Sequence, residues 1–427
     1  MKCEQYWPDR GEVMICGQYI LEGVSEKIFA DFVVREIALR NADTADKRHV
    51  IQYQYTAWPD RSVPDSVVSL VAYRDKVEQQ NRNRASPIVV HCSAGIGRTG
   101  TYIALDYLLQ QARDDTYVDI FGCAIGLRGQ RVNMIQTEQQ YEYLHHCVLY
   151  AITCSSDPIK EVKLKTGVNG EQITIQYDAL KALDSVNRGW TLTTIKRNKN
   201  HKVSDYLDER YRVRLESSRD SSINAVYINS YLRQNQFIIT QTPLASKLKD
   251  FISMIYQEKC PIIVCLDDDS TPEKIVGQYI PPDNKLMKIG QYQYKCTRSN
   301  VMDEYIVRDL KLSHSVSGHQ LDIRQYQIRG WNSNDMTPSD LHSFLKLVQE
   351  INDIKLQQEY PILIHCQTGA DRSGLFCGVS TMLETLTIEK QLSIVHVIHH
   401  IHERCHTAFQ AYVSNSCTTV NKTYLCS

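Results

Sequence analysis

The stretch His91-Cys92-Ser93-Ala94-Gly95-Ile96-Gly97-Arg98-Thr99-Gly100 places a cysteine and an arginine at the two ends of a loop of small residues. The four residues before it, Pro87–Val90, are apolar and partly β-branched, which predicts a buried strand. Apolar residues after Arg98 recur at helical spacing, which predicts a helix. The loop therefore joins the end of a strand to the start of a helix, where backbone N–H groups and the helix dipole attract anions.

The sulfur of Cys92 lies in the same electrostatic field. A cysteine thiol with an ordinary pKa of about 8.5 can fall to roughly 3.5–7.5 beside a helix N-terminus and cations, so we expect a thiolate at neutral pH. The planar guanidinium of Arg98 can bind two phosphoryl oxygens at once. Gly95 and Gly97 let the backbone approach a ligand without an intervening Cβ. The loop is thus predicted to hold a phosphate group against a nucleophilic sulfur.

Two further motifs accompany this loop. Trp58-Pro59-Asp60 lies upstream, and a carboxyl group on a mobile loop can protonate the departing oxygen when a phosphoryl group moves to sulfur. Downstream, Gln136-Thr137-Glu138-Gln139-Gln140-Tyr141 carries glutamines suited to placing a water molecule for a second, hydrolytic step. Together the three motifs favour a phosphoryl-transfer site over a buried, inert thiol at a strand end.

These three motifs, in this order, resemble the protein tyrosine phosphatase family in its cysteine-dependent, tyrosine-specific branch. Gln5–Pro8 and Leu127–Arg131 are weaker markers of the same resemblance. The resemblance implies an α/β fold with a mixed, highly twisted central sheet flanked by helices. It also implies that Cys92 attacks phosphorus to form a cysteinyl-phosphate, that Arg98 clamps the phosphate, and that Asp60 acts first as an acid and later as a base.

The resemblance also implies roles for other residues of the motifs. Thr99 would donate a hydrogen bond to the thiolate, His91 would help to lower the cysteine pKa, and Gln136 and Gln140 would place the hydrolytic water. The substrate's phosphate would be bound by six residues of the loop, Ser93, Ala94, Gly95, Ile96, Gly97 and Arg98. No metal and no organic cofactor is implied, and the expected partners are proteins that contain phosphotyrosine.

A second loop of the same type follows at the distance of a domain. His365-Cys366-Gln367-Thr368-Gly369-Ala370-Asp371-Arg372-Ser373-Gly374 again follows an apolar run, and its cysteine lies 274 positions after that of the first loop. Trp331 and Tyr279 follow Trp58 and Tyr6 by 273 positions each. Three anchors at one interval indicate an internal duplication. Two tandem copies resemble the cytoplasmic part of receptor-type tyrosine phosphatases.

The second copy departs from the motifs at the positions that the chemistry uses. Trp331 is followed by Asn-Ser, so the acid of the tripeptide is lost. Asp371 adds a negative charge beside Arg372 that should weaken phosphate binding, although some lipid and inositol phosphatases also carry Asp there. The alignment replaces both glutamines and an aromatic wall residue of the family, by Thr407, Ala411 and Lys202. We therefore expect a degenerate site, in which Cys366 and Arg372 persist as structure, a redox-sensitive thiol or a weak anion site.

The duplication also indicates the bounds and lengths of the domains. We expect a first domain, a linker and a second domain, at 1–152, 153–172 and 173–427. About a hundred residues separate the start of the second copy from Tyr279, whereas five residues precede the matching Tyr6. The first domain is therefore expected to lack about its first hundred residues. By the resemblance, that part holds several strands, the aromatic phosphotyrosine loop and an acidic residue that orients Arg98.

Two functions are open at this point. In the first, the first domain hydrolyses phosphotyrosine in proteins and the second domain regulates it. In the alternative, the chain is a non-catalytic pseudophosphatase or interaction fragment, because the first domain is incomplete. The two domains could contact each other within the chain.

The composition limits the partners and the cellular compartment that we expect for this chain. The net charge is −1 and the pI is about 6.9, so no nucleic-acid partner is indicated. The 14 cysteines show no short-spaced disulfide framework, and a catalytic thiolate needs a reducing compartment. No run of 18 apolar residues and no signal peptide is present. We expect a soluble chain on the cytoplasmic side, attached to a membrane only through a segment absent from this sequence.

Two other clusters have less specific patterns. His396, His399, His400, His402, Cys405 and His406 could suit a metal, but a solvent-facing helix end and loop is favoured because no distal pair of ligands is visible. The basic segment Lys196–Lys202 could be a localisation signal or an acidic-partner patch, and a solvated loop is favoured.

Overall fold

The computed structural model contains two compact units. One comprises residues 1–156 with 182–185, and the other comprises residues 157–181 with 186–427. The residues that the structure describes are 4–82, 86–154, 158–166, 174–180, 182, 208–216, 222–268, 279–332, 335 and 337–409.

The first unit contains an antiparallel sheet of four described strands in the order β1-β2-β3-β4. These strands are β1 (Val13–Cys16), β2 (Tyr19–Ile28), β3 (Phe32–Asn41) and β4 (Lys47–Tyr55). Gly17 allows the tight turn between β1 and β2, because its φ of 59° lies in the left-handed region that favours glycine. The sheet is a meander, so its register follows from short local turns.

Four helices follow in the first unit: α1 (Val67–Asn81), α2 (Gly97–Asp114), α3 (Ile120–Gln130) and α4 (Glu138–Thr153). The side chains of Ser66, Asp119 and Thr137 cap the N-termini of α1, α3 and α4. Helix α2 begins after Ile96 without a side-chain cap, so its first backbone N–H groups remain for the loop that precedes it. The predicted helix after Arg98 is confirmed.

The second unit contains a larger sheet, in the order β10-β11-β12-β13-β9-β14-β8-β7-β6. Its strands are β6 (Arg212–Arg214), β7 (Ser222–Ile228), β8 (Phe237–Gln241), β9 (Ile262–Cys265), β10 (Leu286–Ile289), β11 (Tyr292–Val301), β12 (Tyr305–His314), β13 (Gln320–Ile328) and β14 (Ile362–Cys366). β9 pairs in parallel with β13 and β14, β14 pairs in parallel with β8, and the other pairs are antiparallel. The predicted α/β fold with a mixed central sheet is confirmed.

Helices cover both faces of this sheet. The helices of the unit are α5 (Glu161–Thr166), α6 (174–180), α7 (Leu248–Gln257), α8 (Leu341–Lys355), α9 (Asp371–Glu389) and α10 (Ile394–His402). Strand β14 shows the layering, because Ile362 and Ile364 pack with α8 and α9, whereas Leu363 packs with α7 on the other face. This alternation is the two-residue period of a strand buried on both faces.

A short pair of strands outside the large sheet includes residues of the predicted linker, 153–172. Strand β5 (Ile159–Lys160) pairs antiparallel with β15 (Gln391–Leu392), and both strands lie in the second unit. Helix α4 of the first unit ends at Thr153. The domain boundaries stay a prediction.

The internal duplication is visible in the elements themselves. Strands β1–β4 recur as β10–β13 after 273 residues, and helices α1 and α2 begin again as α8 and α9 after 274. The irregularity in the pairing of β2 with β3, at Gly23 and Ser25, recurs at Cys296 and Arg298 in the pairing of β11 with β12. A shared bulge is a detail of the backbone, so the two copies have the same architecture over this region.

The predicted buried strand at Pro87–Val90 is wrong. These residues form no strand, and the side chains of Ile88 and Val89 are 48% and 85% exposed. Their counterpart is β14, which gains its hydrogen bonds from β8 and β9 on either side. The described part of the first unit offers no such neighbours, and a strand without partners has nowhere to place its backbone hydrogen bonds.

The expectation of a solvent-facing helix end for the histidine cluster is also wrong for part of it. His399 and His402 are buried in α10, and the Nε2 atom of His402 is hydrogen-bonded to the carbonyl of Ala408. Burial lowers the pKa of His400 to about 3. The apolar residues between the histidines pack against the core, so this side of the helix is buried.

The contrast between the two copies gives a stability prediction. Leu363→Ala removes a fully buried side chain and should lower the free energy of unfolding of the second unit by about 2–5 kcal/mol. Val89→Ala, at the matching position of the first unit, should change its stability by no more than about 0.5 kcal/mol. Urea unfolding followed by hydrogen–deuterium exchange mass spectrometry separates the two units. Equal losses would mean that Val89 is packed in a core.

Candidate active site

The first loop lies against the uncapped N-terminus of α2. Gly95 has a φ of 67°, a conformation that side chains other than glycine rarely adopt, so the loop can turn back on itself there. Arg131 Nη2 donates to the carbonyl of Ala94 at 3.1 Å, which holds the outer side of the loop. Cys92 is half-buried at the base. The loop is therefore held as a turn with Cys92 half-buried at its start.

The groups around the sulfur lower the pKa of Cys92. Burial alone would raise the pKa of this thiol. The Thr99 hydroxyl and the backbone N–H groups of Thr99, Ile96 and Gly95 stabilise the thiolate, and together they lower the pKa below its ordinary value. A thiolate is the nucleophilic form of cysteine, so the environment favours the reactive state.

Asp60 and Arg98 meet in front of the loop. Arg98 Nη2 lies 3.2 Å from the Asp60 carboxylate and donates to the Pro59 carbonyl at 3.2 Å. Trp58 is buried, its indole N–H donates to the carbonyl of Ser62 at 2.8 Å, and the Arg98 guanidinium lies 5.8 Å from its ring centre. The tryptophan thus anchors the acid-bearing segment, and the structure brings the predicted acid and the predicted phosphate clamp together.

The two predicted water-placing glutamines lie against the loop. A Cβ built on Gly97 would lie 3.0 Å from both amide atoms of Gln140 and 3.2 Å from Gln136 Oε1. The backbone N–H of Gln136 also donates to Gln140 Oε1 at 2.9 Å. Because Thr137 caps α4, the helix presents Gln140 at its first turn. Because residue 97 is a glycine, the side chains of the two glutamines have room to contact the loop.

A second close approach locks the loop to the segment before α4. A Cβ on Gly100 would lie 2.5 Å from the backbone nitrogen of Ile135, which is closer than real Cβ atoms come. That nitrogen donates to the Ile96 carbonyl at 3.2 Å. Arg128 holds the segment from the other side, by donating to the carbonyls of Met134 and Ile135 at 2.9 and 2.8 Å. Arg128 and Arg131 were markers of the resemblance, and the structure gives them these supporting contacts.

His91 is held by residues for which the sequence analysis predicted no role in the site. The Tyr6 hydroxyl lies 2.6 Å from His91 Nε2 and accepts a hydrogen bond from Gln52 Nε2 at 2.8 Å. This contact does not test the predicted effect of His91 on the Cys92 pKa, which stays a prediction. The signal for Tyr6 was its repetition as Tyr279, at the interval that marks the duplication.

The arginine of the second loop has a different environment. Arg372 is buried, and its guanidinium donates to the carbonyls of Leu266, Trp331 and Asn332. Its Nη1 also lies 3.9 Å from the carboxylate of Asp267. A guanidinium has five N–H donors, and most of these are already engaged. Arg372 therefore holds the core together at the position where Arg98 faces the loop opening.

The backbone N–H groups of the second loop are also engaged within the protein. Gln367 N donates to Asp267 Oδ1 at 3.0 Å, and Gly369 N donates to the Cys366 carbonyl at 3.0 Å. The next two N–H groups, of Ala370 and Asp371, donate to the Thr368 hydroxyl at 3.3 and 3.4 Å. An incoming anion would have to break these bonds before it could be bound.

Cys265, Asp267 and His365 are the described residues whose ligand atoms come close enough together to suggest a metal site. Both ring nitrogens of His365 already have hydrogen-bond partners, Tyr279 at 2.6 Å and Thr242 at 2.8 Å. The Asp267 oxygens accept from Thr242 and Gln367. Burial lowers the pKa of His365 to about 3 and raises that of the Cys265 thiol. This group is satisfied as a hydrogen-bond network, so its donors are a poor fit to a metal.

The sequence matches the family model described as "Protein-tyrosine phosphatase" over residues 1–150 and 195–414. The chain belongs to the protein-tyrosine phosphatase family. The two matched segments correspond to the two copies of the duplication, and each contains one Cys-x5-Arg loop.

Three relatives illustrate the likeness. The chain is 32% identical over 413 residues to human "Receptor-type tyrosine-protein phosphatase F", and 32% identical over 422 residues to "Receptor-type tyrosine-protein phosphatase S" of Gallus gallus. It is 28% identical over 424 residues to mouse "Receptor-type tyrosine-protein phosphatase alpha". These alignments cover 91–93% of this chain, but 21%, 27% and 50% of the respective relatives. The chain thus spans half or less of the length of these proteins.

Some predicted features lie outside the described residues, namely Lys196–Lys202 and Ala411. Within the described part of the chain, no helix has both the length and the apolar composition needed to cross a bilayer.

The environment of the sulfur gives a prediction for Cys92. Thr99→Val removes a hydroxyl that lowers the thiol pKa, so this pKa should rise and the rate of alkylation by iodoacetamide near pH 6.5 should fall by about tenfold. Mass spectrometry of the peptide that contains Cys92 measures this rate. Thr101→Val is the matched control, because that hydroxyl donates to the Gly97 carbonyl and should leave the rate nearly unchanged. A fall of the same size in both variants would contradict the assignment.

Proposed function

We propose that the first unit hydrolyses phosphotyrosine in proteins through a cysteinyl-phosphate on Cys92. The observation that carries this proposal is the Arg98 guanidinium of the Cys92 loop lying 3.2 Å from the Asp60 carboxylate. The two glutamines against Gly97 and the lowered pKa of the Cys92 thiol support it. Membership of the family supports the same chemistry.

In the first step, the Cys92 thiolate attacks phosphorus and an S–P bond forms while the P–O bond to the phenol breaks. Arg98 binds two phosphoryl oxygens, and the loop N–H groups bind the others, so that charge is stabilised as it builds up. The substrate dianion replaces Asp60 at Arg98, and beside that dianion the carboxylate takes up a proton from solvent, which it then gives to the departing phenolate oxygen. The products of this step are the free tyrosine side chain and the cysteinyl-phosphate.

In the second step, water replaces sulfur on phosphorus. Asp60, now ionised, accepts a proton from the water as the new O–P bond forms and the S–P bond breaks. Gln136 and Gln140 lie beside the loop, where their amide groups can orient this water. Inorganic phosphate leaves, and Cys92 returns to the thiolate.

For the second unit we propose a non-catalytic, regulatory role. Its loop donors are used by Asp267, Cys366 and Thr368, and Arg372 is engaged by backbone carbonyls. The segment at Trp331 carries Asn332 where the first unit carries a proline, and no carboxyl group follows it as Asp60 follows Trp58. Cys366 is fully buried, so a phosphate monoester would have no direct path to its sulfur.

A second candidate function, a non-catalytic interaction fragment, is favoured by one observation. Ile88 and Val89 are exposed immediately before the nucleophile, where the second unit has the fully buried β14. A nucleophile that follows a segment without sheet partners is held too loosely for catalysis in this second reading. The activity measurement below decides between the two functions.

The cellular location that we propose follows from the same chemistry. The thiolate chemistry suits a reducing compartment, and the relatives are named as receptor-type phosphatases. We propose that the chain acts on the cytoplasmic side of a membrane, with proteins that contain phosphotyrosine as its substrates.

The proposal is tested with p-nitrophenyl phosphate and a phosphotyrosine peptide. The whole chain should hydrolyse both substrates, Cys92→Ser should abolish hydrolysis, and Asp60→Ala should lower kcat by about 10²–10⁴-fold, because it removes the general acid. Cys366→Ser should retain activity. No turnover by the wild-type chain would favour the interaction fragment, and loss of activity in Cys366→Ser alone would refute the assignment of the catalytic unit.

Anion binding by the two loops should also differ. Tungstate, a phosphate mimic, should protect the peptide around Cys92 from hydrogen–deuterium exchange and leave the peptide around Cys366 unchanged, because four N–H groups of the second loop already have acceptors within the protein. Arg98→Lys should abolish the protection, since a lysine cannot bind two oxygens in one plane. Protection at Cys366 would show that the second loop opens to anions.

A further inference from the structure

Side-chain hydroxyl groups hold both ends of the segment that carries the predicted acid. This acid-bearing segment, residues 56–66, lies between the end of β4 and the start of α1. At its far end, the Tyr143 hydroxyl donates to the Ser66 carbonyl at 2.7 Å, and the Ser69 hydroxyl donates to the same oxygen at 3.3 Å. At its near end, the hydroxyl of Tyr55 is hydrogen-bonded to that of Ser69. One network of hydroxyl groups thus joins the two ends.

The direction of each bond in this network is fixed. The Ser69 hydroxyl has one hydrogen, which it donates to the Ser66 carbonyl, so the Tyr55 hydroxyl donates to the Ser69 oxygen. A carbonyl oxygen has two lone pairs, and that of Ser66 accepts from Ser69 and Tyr143. Ser66, Ser69 and Tyr143 are buried. Loss of a donor to a buried carbonyl is costly, so each hydroxyl contributes to holding the segment.

The aromatic ring of Tyr143 contacts the same segment at a second point. Its centre lies 6.2 Å from that of Trp58, edge to face, and the rings of Tyr55 and Trp58 are edge to face at 6.4 Å. Trp58 lies two residues before Asp60. Tyr143 follows Gln140 by three residues on α4, so the two side chains lie on the same side of that helix. The helix that presents a glutamine to the nucleophilic loop therefore also holds the acid-bearing segment.

The second unit retains the anchors of this segment but not the tyrosine at its start. Trp331 is buried like Trp58, and Asp340 caps α8 at the position of Ser66. Ile328 stands where the first unit has Tyr55, so the end of β13 carries no side-chain hydroxyl. The tryptophan and the helix cap, which the fold needs, thus occur in both units. Of the two matching positions at the strand end, the one with a tyrosine is in the unit that carries the acid.

We propose that Tyr143 and Tyr55 are positioning residues that hold the acid-bearing segment against α4, so that the Asp60 carboxyl meets the oxygen that leaves phosphorus. The inference rests on the proposed function, because it assigns residues to the same proton transfer. A general acid must lie within hydrogen-bond reach of the oxygen it protonates, and a displacement of about 1 Å can cost about 10²-fold in rate. Ties at both ends of the segment limit such displacements before substrate arrives.

The first test removes the hydroxyl groups and keeps the rings. Tyr143→Phe and Tyr55→Phe should each lower kcat/KM for phenyl phosphate, whose leaving oxygen needs a proton, by about three- to tenfold. With 2,4-dinitrophenyl phosphate, whose phenolate leaves without a proton, the change should stay below about twofold. Tyr73→Phe is the matched control, because this hydroxyl donates to the Tyr53 carbonyl at 3.1 Å in the same aromatic cluster, and it should leave both values nearly unchanged.

The second test asks whether Tyr143 acts through Asp60. In the Asp60→Ala background, Tyr143→Phe should not lower kcat/KM for phenyl phosphate any further, because the group that it positions is already absent. A structural role of the hydroxyl would lower the rate by the same factor in both backgrounds. The rate of Cys92 alkylation by iodoacetamide should be unchanged in Tyr143→Phe, since the bond removed lies at Ser66. Hydrogen–deuterium exchange over residues 56–66 should become faster, whether or not the chain is active.

The outcomes separate this proposal from the proposed function. No hydrolysis of either substrate by the wild-type chain would overturn the proposed function, and the role of the two tyrosines in proton transfer with it. In an active wild type, the positioning role alone fails if Tyr143→Phe leaves kcat/KM for phenyl phosphate unchanged or lowers it equally for both substrates. It also fails if the full loss persists in the Asp60→Ala background, or if exchange over residues 56–66 does not change. Thermal unfolding of each variant shows that the comparison is made on folded protein.

Discussion

The candidate site depends on the polar groups that the start of α2 and the loop before it place around one sulfur atom. Helices α1, α3 and α4 of the first unit are capped by the side chains of their preceding residues, whereas α2 is not. The Thr99 hydroxyl and N–H at the start of α2, with the N–H groups of Ile96 and Gly95 in the loop before it, stabilise the Cys92 thiolate. They outweigh the cost of partial burial, so the pKa of this thiol falls below its ordinary value. The glycines and the Arg128–Arg131 contacts serve to hold this arrangement.

The second unit has the same architecture, but several backbone N–H groups of its loop are hydrogen-bonded within the protein. Asp267, Thr368 and the Cys366 carbonyl accept the N–H groups of the second loop, and backbone carbonyls surround Arg372. The residue types of the motif are still present. What has changed is the availability of the donors, so the motif serves the stability of the core. Recognition of Cys-x5-Arg in a sequence therefore does not establish that an anion can be bound.

The duplication accounts for the largest success and the largest failure of the sequence analysis. Repeated anchors at one interval predicted two copies, and the strands, the bulge and the hydrogen bonds of Tyr6 and Tyr279 repeat at that interval. The same reasoning predicted a buried strand at Pro87–Val90, as in β14. An apolar run shows that a segment can form a buried strand if other strands flank it. The described part of the first unit has no such flanking strands at this position. Val89 is thus exposed where Leu363 is buried.

The sequence by itself predicted the α/β fold and its duplication, which the structure shows, and it named the nucleophile, the arginine, the acid and the glutamines as candidates. These predictions rest on residue types at fixed spacings, which a single sequence displays directly. Only the tertiary structure decided which of the two loops keeps its donors free, that α10 turns His399 and His402 into the core, and that the Tyr143 hydroxyl reaches the Ser66 carbonyl. Each of these depends on contacts between residues far apart in the chain, and no spacing in a single sequence specifies which distant side chain will satisfy a given donor.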